Sequence, residues 1–164
     1  MRPEDRLFFF TTCGWMMWNW VVSGLMIGTP VILYEGNPFH PGPDRLWQMA
    51  EAERLTHMGV SAKYVDAVRN AGYLPGQNVD LSALRMIMST GSPLSAEAFE
   101  FIYRDVSPSL QLCSISGGTD LISCFVLGTP TQPVHAGEIQ SRGLGMAVEI
   151  LNDDGKPVRG EQGE

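Results

Sequence analysis

Basic residues are scarce in this sequence and nowhere form a cluster. The 164 residues include 11 Lys+Arg against 18 Asp+Glu, which gives a formal net charge of −7 at pH 7. Proteins that bind nucleic acid through its phosphates need clustered Lys and Arg, so we expect no nucleic-acid partner. Hydrophobic residues make up 44% of the chain and charged residues 18%, which excludes a disordered chain and is typical of a packed globular protein.

Cysteine and histidine are also few. The three cysteines, Cys13, Cys113 and Cys124, form no CxxC pair, and their odd number argues against a disulfide framework or a zinc site. We therefore expect free thiols and a reducing, cytoplasmic location. The three histidines are far apart in the sequence, so they do not predict a metal site.

Charge is missing altogether from residue 7 to residue 34. A run of this length is long enough to span a bilayer, but Gly14, Gly24, Gly28 and Pro30 divide it into short pieces. Strands that are buried on both faces of an α/β sheet read as continuous apolar runs. We therefore predict a buried strand, a buried helix and a second strand here, and no membrane span or signal peptide.

Strand and helix patterns alternate through the first 115 residues. Strands are predicted at 7–11, 31–34, 58–62, 84–88 and 110–115, and helices at 15–27, 44–55, 63–71 and 95–105. Asp44 and Ser95 are the expected N-caps, and Gly72 is expected to end the third helix. Residues 73–82 are predicted to form a loop and residues 116–120 a turn. This alternation indicates a mostly parallel sheet with covering helices.

The sequence changes character after residue 128. Residues 129–145 are rich in loop residues, and 146–151 with 156–158 predict a hairpin around a turn at 152–155. We therefore predict an α/β domain at 1–128 and the start of an antiparallel β domain at 129–164. The chain ends on Gly-Glu-Gln-Gly-Glu164 with no terminating element, so we expect it to be a piece of a longer protein.

Three loops that follow predicted strands contain mainly small polar residues. They read TTCGW at 11–15, STGSP at 89–93 and SISGGTD at 114–120. Ligands of an open parallel sheet bind beyond the carboxyl ends of its strands, where glycines let them approach backbone N–H groups. Threonine hydroxyls suit phosphate oxygens and a lone aspartate suits Mg²⁺. The same residue types also build ordinary turns, and no GxGxxG or GxxxxGK[ST] motif is present, so both interpretations stay open.

Four segments in order carry a likeness to a known family. FFFTTCGWMMWNW (8–20), STGSPL (89–94), SISGGTD (114–120) and GLGMAVEILNDDG (143–155) resemble segments of the AMP-forming acyl-CoA synthetases, within the adenylate-forming superfamily. The likeness is greatest to the members that activate acetoacetate. It implies the second sheet subdomain of the large N-terminal domain, followed by the start of a small antiparallel β-barrel.

The resemblance implies a role for individual residues. The positions that match nucleotide contacts are Gly91, Ser92, Pro93, Ser114, Ser116, Gly118 and Thr119. Thr119 and Asp120 match catalytic positions, with Thr119 on the AMP phosphate and Asp120 helping to place Mg²⁺. The positions that match the acyl pocket are Trp15, Met16, Met17, Asn19 and Gly117. Ser61 falls near a position that contacts coenzyme A.

Three positions depart from the family pattern. Many relatives carry an aromatic residue where Ser116 stands, Glu where Asp120 stands and His where Asn19 stands. Acetate-specific relatives carry Trp at the position of Gly117, so the resemblance implies room for a longer acid there. The alternative for Gly117 is that the turn conformation alone requires glycine.

The family reaction sets the expected function. ATP and a carboxylate, here acetoacetate, give an acyl-adenylate and pyrophosphate, and coenzyme A then takes the acyl group, with Mg²⁺ as metal cofactor. The other parts of the same enzyme are the expected partners, and the isolated chain is expected to be inactive. Two alternatives stay open: a ligase for another short acid or another acceptor, and a non-catalytic α/β module.

Overall fold

Five short strands form one fully parallel sheet. The structure is a computed structural model, and it describes residues 1–158. The strands are β1 (Leu7–Phe9), β2 (Val31–Ile32), β3 (His57–Ser61), β4 (Met86–Thr90) and β5 (Gln111–Ser114), in the spatial order β2-β1-β3-β4-β5. Helices connect them, as parallel pairing requires. The predicted mostly parallel sheet with covering helices is confirmed.

The sheet grows in two directions from β1. The chain passes from β1 outward to β2, and then returns to place β3 on the other side of β1, so that Leu7 is the register partner of both Val31 and His57. Ligands of open α/β sheets bind beyond the carboxyl ends of the strands. The loops after β1, β3, β4 and β5 all lie at that edge.

Helices cover both faces of the sheet. One face carries α1 (Met16–Ser23), which continues as a 3₁₀ turn (Gly24–Ile27). The other face carries α2 (Arg45–Ala52), α3 (Ala62–Asn70) and α5 (Ala96–Phe101), and α5 continues as one π turn (Ile102–Val106).

Side chains alternate between the two faces along each strand. In β1, Phe8 packs into the larger core with Trp47 and Ile87, whereas Leu7 and Phe9 pack into the smaller core under α1. Successive side chains of a strand point to opposite faces, so a strand that is apolar throughout is covered on both. This accounts for the charge-free run at the N-terminus, which forms β1, α1 and β2.

Of the two N-caps predicted from the sequence, one is confirmed and the other is wrong. Ser95 is extended, and its hydroxyl accepts a hydrogen bond from the Ala98 N–H at 3.2 Å, so the predicted cap is confirmed. The predicted cap at Asp44 is wrong: Asp44 is already in the helical conformation, and its carboxylate accepts from the Gln48 side chain instead of a backbone N–H. A capping side chain reaches the first turn from an extended backbone. Gly72 follows α3 with φ 69°, as predicted for a helix end.

Two predicted loops contain regular structure. Residues 73–82 include the short helix α4 (Pro75–Asn78), in which Pro75 stands at the start, where its missing N–H has no cost. The predicted turn at 116–120 begins as strand β6 (Ser116–Gly118), which pairs antiparallel with β7 (Ser123–Leu127). The turn itself follows β6 and comprises residues 119–122. Glycine and serine suggested a turn, but the neighbouring strand holds them extended.

A small antiparallel sheet follows the parallel one. It consists of β6, β7 and β8 (Ser141–Arg142), in that order. Antiparallel pairing therefore begins at Ser116, before the predicted change at residue 129. The boundary at 128/129 stays a prediction, and the predicted start of a barrel is not confirmed by these three strands.

The predicted hairpin near the C-terminus is present as a turn with a single bridge. The N–H of Asn152 donates to the Lys156 carbonyl at 3.0 Å, and Leu151 pairs with Pro157. Residues 159–164, which the second predicted domain includes, lie outside the described residues.

No helix among residues 1–158 combines the length and the apolar character needed to cross a bilayer. The 3₁₀ turn after α1 nevertheless exposes apolar side chains, with Met26 87% accessible and Leu25 60%.

Candidate functional site

A cavity of about 450 Å³ opens beyond the carboxyl ends of β4 and β5. This volume is within the range of small-molecule sites. The loop from β4 to α5, the connection from β5 to β6 and one more distant segment form its wall. The lining residues are Thr90, Gly91, Ser92, Pro93, Leu94, Ser114, Ile115, Ser116, Gly117, Gly137 and Ile139.

The strand register brings the two loops together. Ser89 and Ser114 are partners across β4 and β5, so the residues that follow them leave the sheet side by side. The Thr90 hydroxyl donates to the Ile115 carbonyl at 3.0 Å and links the two loops directly. Gly91 has φ +91°, a conformation that L side chains rarely adopt, so glycine permits the sharp exit from β4.

Every residue that lines the cavity is uncharged. Backbone groups and serine hydroxyls provide hydrogen-bonding atoms, while Pro93, Leu94 and Ile139 provide apolar surface. Such a wall suits a neutral, flat group with polar edges. It is a poor environment for a phosphate, which needs cations or a cluster of converging N–H groups.

Six of the predicted site residues meet at this cavity. They are Gly91, Ser92, Pro93, Ser114, Ser116 and Gly117. Their assignment to a nucleotide or to a substrate stays a prediction, but their proximity is a property of the structure.

Gly118, Thr119 and Asp120 do not line the cavity. Thr119 and Asp120 are exposed in the turn between β6 and β7, where the Ile122 N–H donates to the Thr119 carbonyl at 3.1 Å. They are close to the cavity in sequence, because Ser116 and Gly117 line it. Because they are exposed, their side chains can contact a charged group that extends out of the cavity.

The predicted acyl-pocket residues of α1 are also separate from the cavity. Met16 and Met17 are buried in the smaller core, whereas Trp15 is 63% exposed and Asn19 is exposed. The indole N–H of Trp20 donates to the Ile122 carbonyl at 3.4 Å and joins α1 to the turn at 119–122. This hydrogen bond places Trp20 of α1 beside the turn, and neither Trp20 nor Ile122 lines the cavity.

Gly117 lines the cavity with its backbone, and its lack of a side chain does not enlarge the cavity. A methyl group at this position would overlap the backbone carbonyl oxygen of Ser123 in β7. A side chain here therefore points into the antiparallel pair and away from the cavity. The geometry favours the conformational explanation for this glycine over the pocket-size explanation.

Ser61 has a structural partner. Its hydroxyl accepts a hydrogen bond from the Tyr64 N–H at 3.1 Å and so caps α3. It lies near the cavity rim, since its Cβ would be 4.0 Å from a methyl group at Gly91.

Five lining residues are not among the predicted site residues: Thr90, Leu94, Ile115, Gly137 and Ile139. Thr90, Leu94 and Ile115 lie within the segments STGSPL and SISGGTD, so membership of these segments could have suggested them. Gly137 and Ile139 come from the segment between β7 and β8, and no local signal connects them to the loops that they face.

No group of three or more His, Cys, Asp or Glu side chains able to hold a metal ion occurs within residues 1–158. Asp120 is a single exposed carboxylate. One carboxylate suits Mg²⁺ that is held mainly by phosphate oxygens and water, so this residue fits a metal that arrives with a phosphate.

Comparison with known proteins gives consistent matches over the whole chain. A family model described as AMP-binding enzyme matches residues 1–164. The chain is 58% identical over 164 residues to the acetoacetyl-coenzyme A synthetase of Rhizobium meliloti (strain 1021) and 46% identical over 164 residues to the acetoacetyl-CoA synthetase of Gallus gallus. Each match covers 100% of this chain and 25% of the relative, so the chain spans about a quarter of the length of these curated relatives.

The fold is also that of a solved relative. The structure of the acetoacetyl-CoA synthetase from Streptomyces lividans superposes with a TM-score of 0.89 at 43% sequence identity. The superposition covers 98% of this chain and 25% of the other chain.

Proposed function

The chain belongs to the AMP-binding enzyme family, and from this membership we propose that it forms part of an ATP-dependent ligase that joins acetoacetate to coenzyme A. The observation that carries the proposal is the 58% identity over the whole chain to a protein named acetoacetyl-coenzyme A synthetase. The remaining three quarters of such an enzyme would be the partner of this chain.

The cavity supports binding of the nucleoside part of ATP. Its uncharged wall, which combines serine hydroxyls and backbone with the apolar side chains of Pro93, Leu94 and Ile139, suits an adenine ring. We propose that the loop Gly91–Ser92–Pro93 lies against the ring and that Ser114 and Ser116 face its edges. Gly117 would contact the nucleotide through its backbone only.

The phosphates would then extend toward the turn at 119–122. We propose that the Thr119 hydroxyl donates a hydrogen bond to the α-phosphate and that the Asp120 carboxylate, with phosphate oxygens and water, holds Mg²⁺. The metal would reduce the repulsion between the phosphates and an incoming carboxylate. Gly118, between the cavity and this turn, lets the chain pass close to the nucleotide.

The proposed reaction has two steps. A carboxylate oxygen of acetoacetate attacks the α-phosphorus of ATP, the bond from that phosphorus to the bridging oxygen breaks, and pyrophosphate leaves. The sulfur of coenzyme A then attacks the carbonyl of the adenylate, its thiol proton is lost, and AMP leaves. Both steps bring anions together, so catalysis depends on positioning and on charge stabilisation. We propose that the surface of α1 around Trp15 and Asn19, with Met16 and Met17 beneath it, borders the acyl group.

ATP–pyrophosphate exchange tests the proposal. The full-length product of the gene that encodes this chain should exchange pyrophosphate into ATP in the presence of acetoacetate. It should also form an acyl-CoA when coenzyme A is added. Thr119→Ala and Asp120→Ala should each lower exchange by about 10²-fold. Asp153→Ala is the matched control, because Asp153 is an exposed acid in a different turn.

Other outcomes separate the alternatives. Faster exchange with acetate or butyrate than with acetoacetate would identify another short acid as substrate. Exchange without acyl-CoA formation would indicate a different acceptor. Absence of exchange with every acid would contradict a ligase function and support a non-catalytic module. The 164-residue chain alone should show no exchange above a blank without protein.

A further inference from the structure

The side chain of Gln140 connects the segment between β7 and β8 to itself and to β5. Its amide oxygen accepts hydrogen bonds from the Thr129 N–H and from the Gln111 side-chain amide, each at 3.0 Å. Its amide nitrogen donates to three backbone carbonyls, those of Thr129 at 3.1 Å, Gln132 at 2.8 Å and Pro133 at 3.1 Å. Both ends of the amide are thus engaged within the segment itself and with the start of β5.

The hydrogen bonds of Gln140 hold a segment that has no regular secondary structure. Between Leu127 and Ser141 the described chain has no helix or strand. A segment of this kind keeps one conformation only when specific contacts outweigh the entropy of its free backbone. Gln140 supplies such contacts, and Val134, which packs against the larger core, supplies another.

The same segment forms part of the wall of the cavity. Gly137 and Ile139 line it together with residues of the loops after β4 and β5. Ile139 is adjacent to Gln140 in the chain, and a methyl group at Gly137 would lie 3.8 Å from the Cβ of Ala96 at the start of α5. The position of this wall therefore follows from how Gln140 folds the segment back on itself.

We propose that Gln140 is a positioning residue for nucleotide binding: its amide holds Gly137 and Ile139 against the nucleoside in the cavity. This inference rests on the proposed function, which places a nucleoside there. Gln140 itself acts through the wall and is not assigned a contact with the ligand.

An amide is the side chain that this role requires. A carboxylate of the same shape retains the acceptor for Thr129 and Gln111, but it cannot donate to the three carbonyls and would place a negative charge beside them. Gln140→Glu therefore loosens the segment with little change in volume. Gln132→Glu is the matched control, since Gln132 is exposed in the same segment and, within residues 1–158, its side chain makes no hydrogen bond.

The test compares kinetic constants of the full-length gene product. In ATP–pyrophosphate exchange, Gln140→Glu should raise KM for ATP by about tenfold, the loss expected when roughly one hydrogen bond's contribution is removed. The kcat and the KM for acetoacetate should stay within about twofold, and Gln132→Glu should behave as wild type. Hydrogen exchange should increase at residues 128–139 in Gln140→Glu and not in α3. An unchanged KM for ATP, or an equal loss in kcat and both KM values, would overturn the inference.

Failure of the proposed function gives a different result. If the wild-type protein catalyses no exchange, binding of AMP measured by calorimetry takes the place of KM. Tight AMP binding by the wild type and about tenfold weaker binding by Gln140→Glu would support the positioning role without the reaction. No AMP binding by the wild type, or equal binding by both proteins, would overturn the inference.

Discussion

The aromatic ring of Phe9 lies over Gly59, its register partner across β1 and β3. A methyl group at position 59 would overlap the ring. The sheet reverses its winding between β1 and β3. At this point the large side chain of Phe9 in β1 occupies the space that a side chain at Gly59 in β3 would need. This pair fixes how the smaller core closes over the centre of the sheet.

Gly59→Ala should destabilise the protein by about 1–3 kcal/mol, because the methyl group must displace a well-packed ring. Denaturant unfolding measures the change. Gly14→Ala is the control, since nothing lies within 4 Å of the position that its methyl group would occupy. Phe9→Leu in the Gly59→Ala background should recover part of the loss, so that the two changes are not additive. Fully additive losses would show that the ring and the methyl group do not compete for space.

Gly117→Ala and Gly118→Ala form a contrasting pair in β6. At position 117 a methyl group would overlap the Ser123 carbonyl, whereas at position 118 its nearest neighbour is the Leu121 side chain at 3.6 Å. We expect Gly117→Ala to lower the unfolding free energy by about 1–3 kcal/mol and Gly118→Ala to change it by less than about 0.5 kcal/mol.

A larger side chain at position 117 tests the pocket-size explanation for this glycine. Gly117→Trp should impair acetoacetate and acetate activities together, because it separates β6 from β7. If it removed acetoacetate activity and preserved acetate activity, the side chain at 117 would face the substrate after all.

The three thiols should react in a fixed order. Cys13 is exposed, whereas Cys113 and Cys124 are buried. Burial raises the pKa of Cys113 and raises that of Cys124 to about 11, so neither supplies much thiolate at neutral pH. Brief treatment with iodoacetamide at pH 7.5 should label Cys13 alone, as read by peptide mass spectrometry, and all three after denaturation. Early labelling of Cys124 in the folded protein would contradict its burial under α1.

Stability should fall in mild acid through His57. Burial lowers the pKa of this imidazole below its usual range. Asp5 lies 4.0 Å from the ring, but Arg85 pairs with that carboxylate, which limits its attraction for an imidazolium.

The direction of the pH effect follows from linkage. Above about pH 6.5 the ring is neutral in both states and its contribution is complete; as the pH falls below this value the unfolded chain takes up the proton first, and the unfolding free energy decreases until the folded-state pKa is reached. Urea unfolding between pH 7.5 and 5 measures this loss. His57→Gln should flatten the profile in that window, and His135→Gln, an exposed control, should leave it unchanged. A profile that His57→Gln does not alter would rule out this residue as the source.

Much of this architecture could be predicted from local sequence because local physics produces it. Apolar runs predicted the strands, and serine at position 95 predicted the N-cap of α5. The three polar loops were expected at one edge of a parallel sheet, and two of them form the cavity. These features depend on burial and on residues close in sequence.

The remaining features depend on contacts between distant residues. Ser116–Gly118 has the composition of a turn, and only β7 holds it extended. Met16 and Met17 match a pocket by motif, but the packing of α1 on the sheet buries them. Gly137 and Ile139 reach the cavity because Gln140 folds their segment back, which no short motif records.

The strand order also sets a schedule for synthesis. β1 is translated before its neighbour β3, which is complete only when Ser61 has been added. At about 5–20 residues per second, translation from Phe9 to Ser61 takes roughly 3–10 s. Until β3 has also emerged from the ribosome, the charge-free run at residues 7–34 lacks its central partner and its apolar side chains stay exposed. Slower decoding between residues 34 and 57 would lengthen this exposure, so the yield of folded protein should depend on codon choice there.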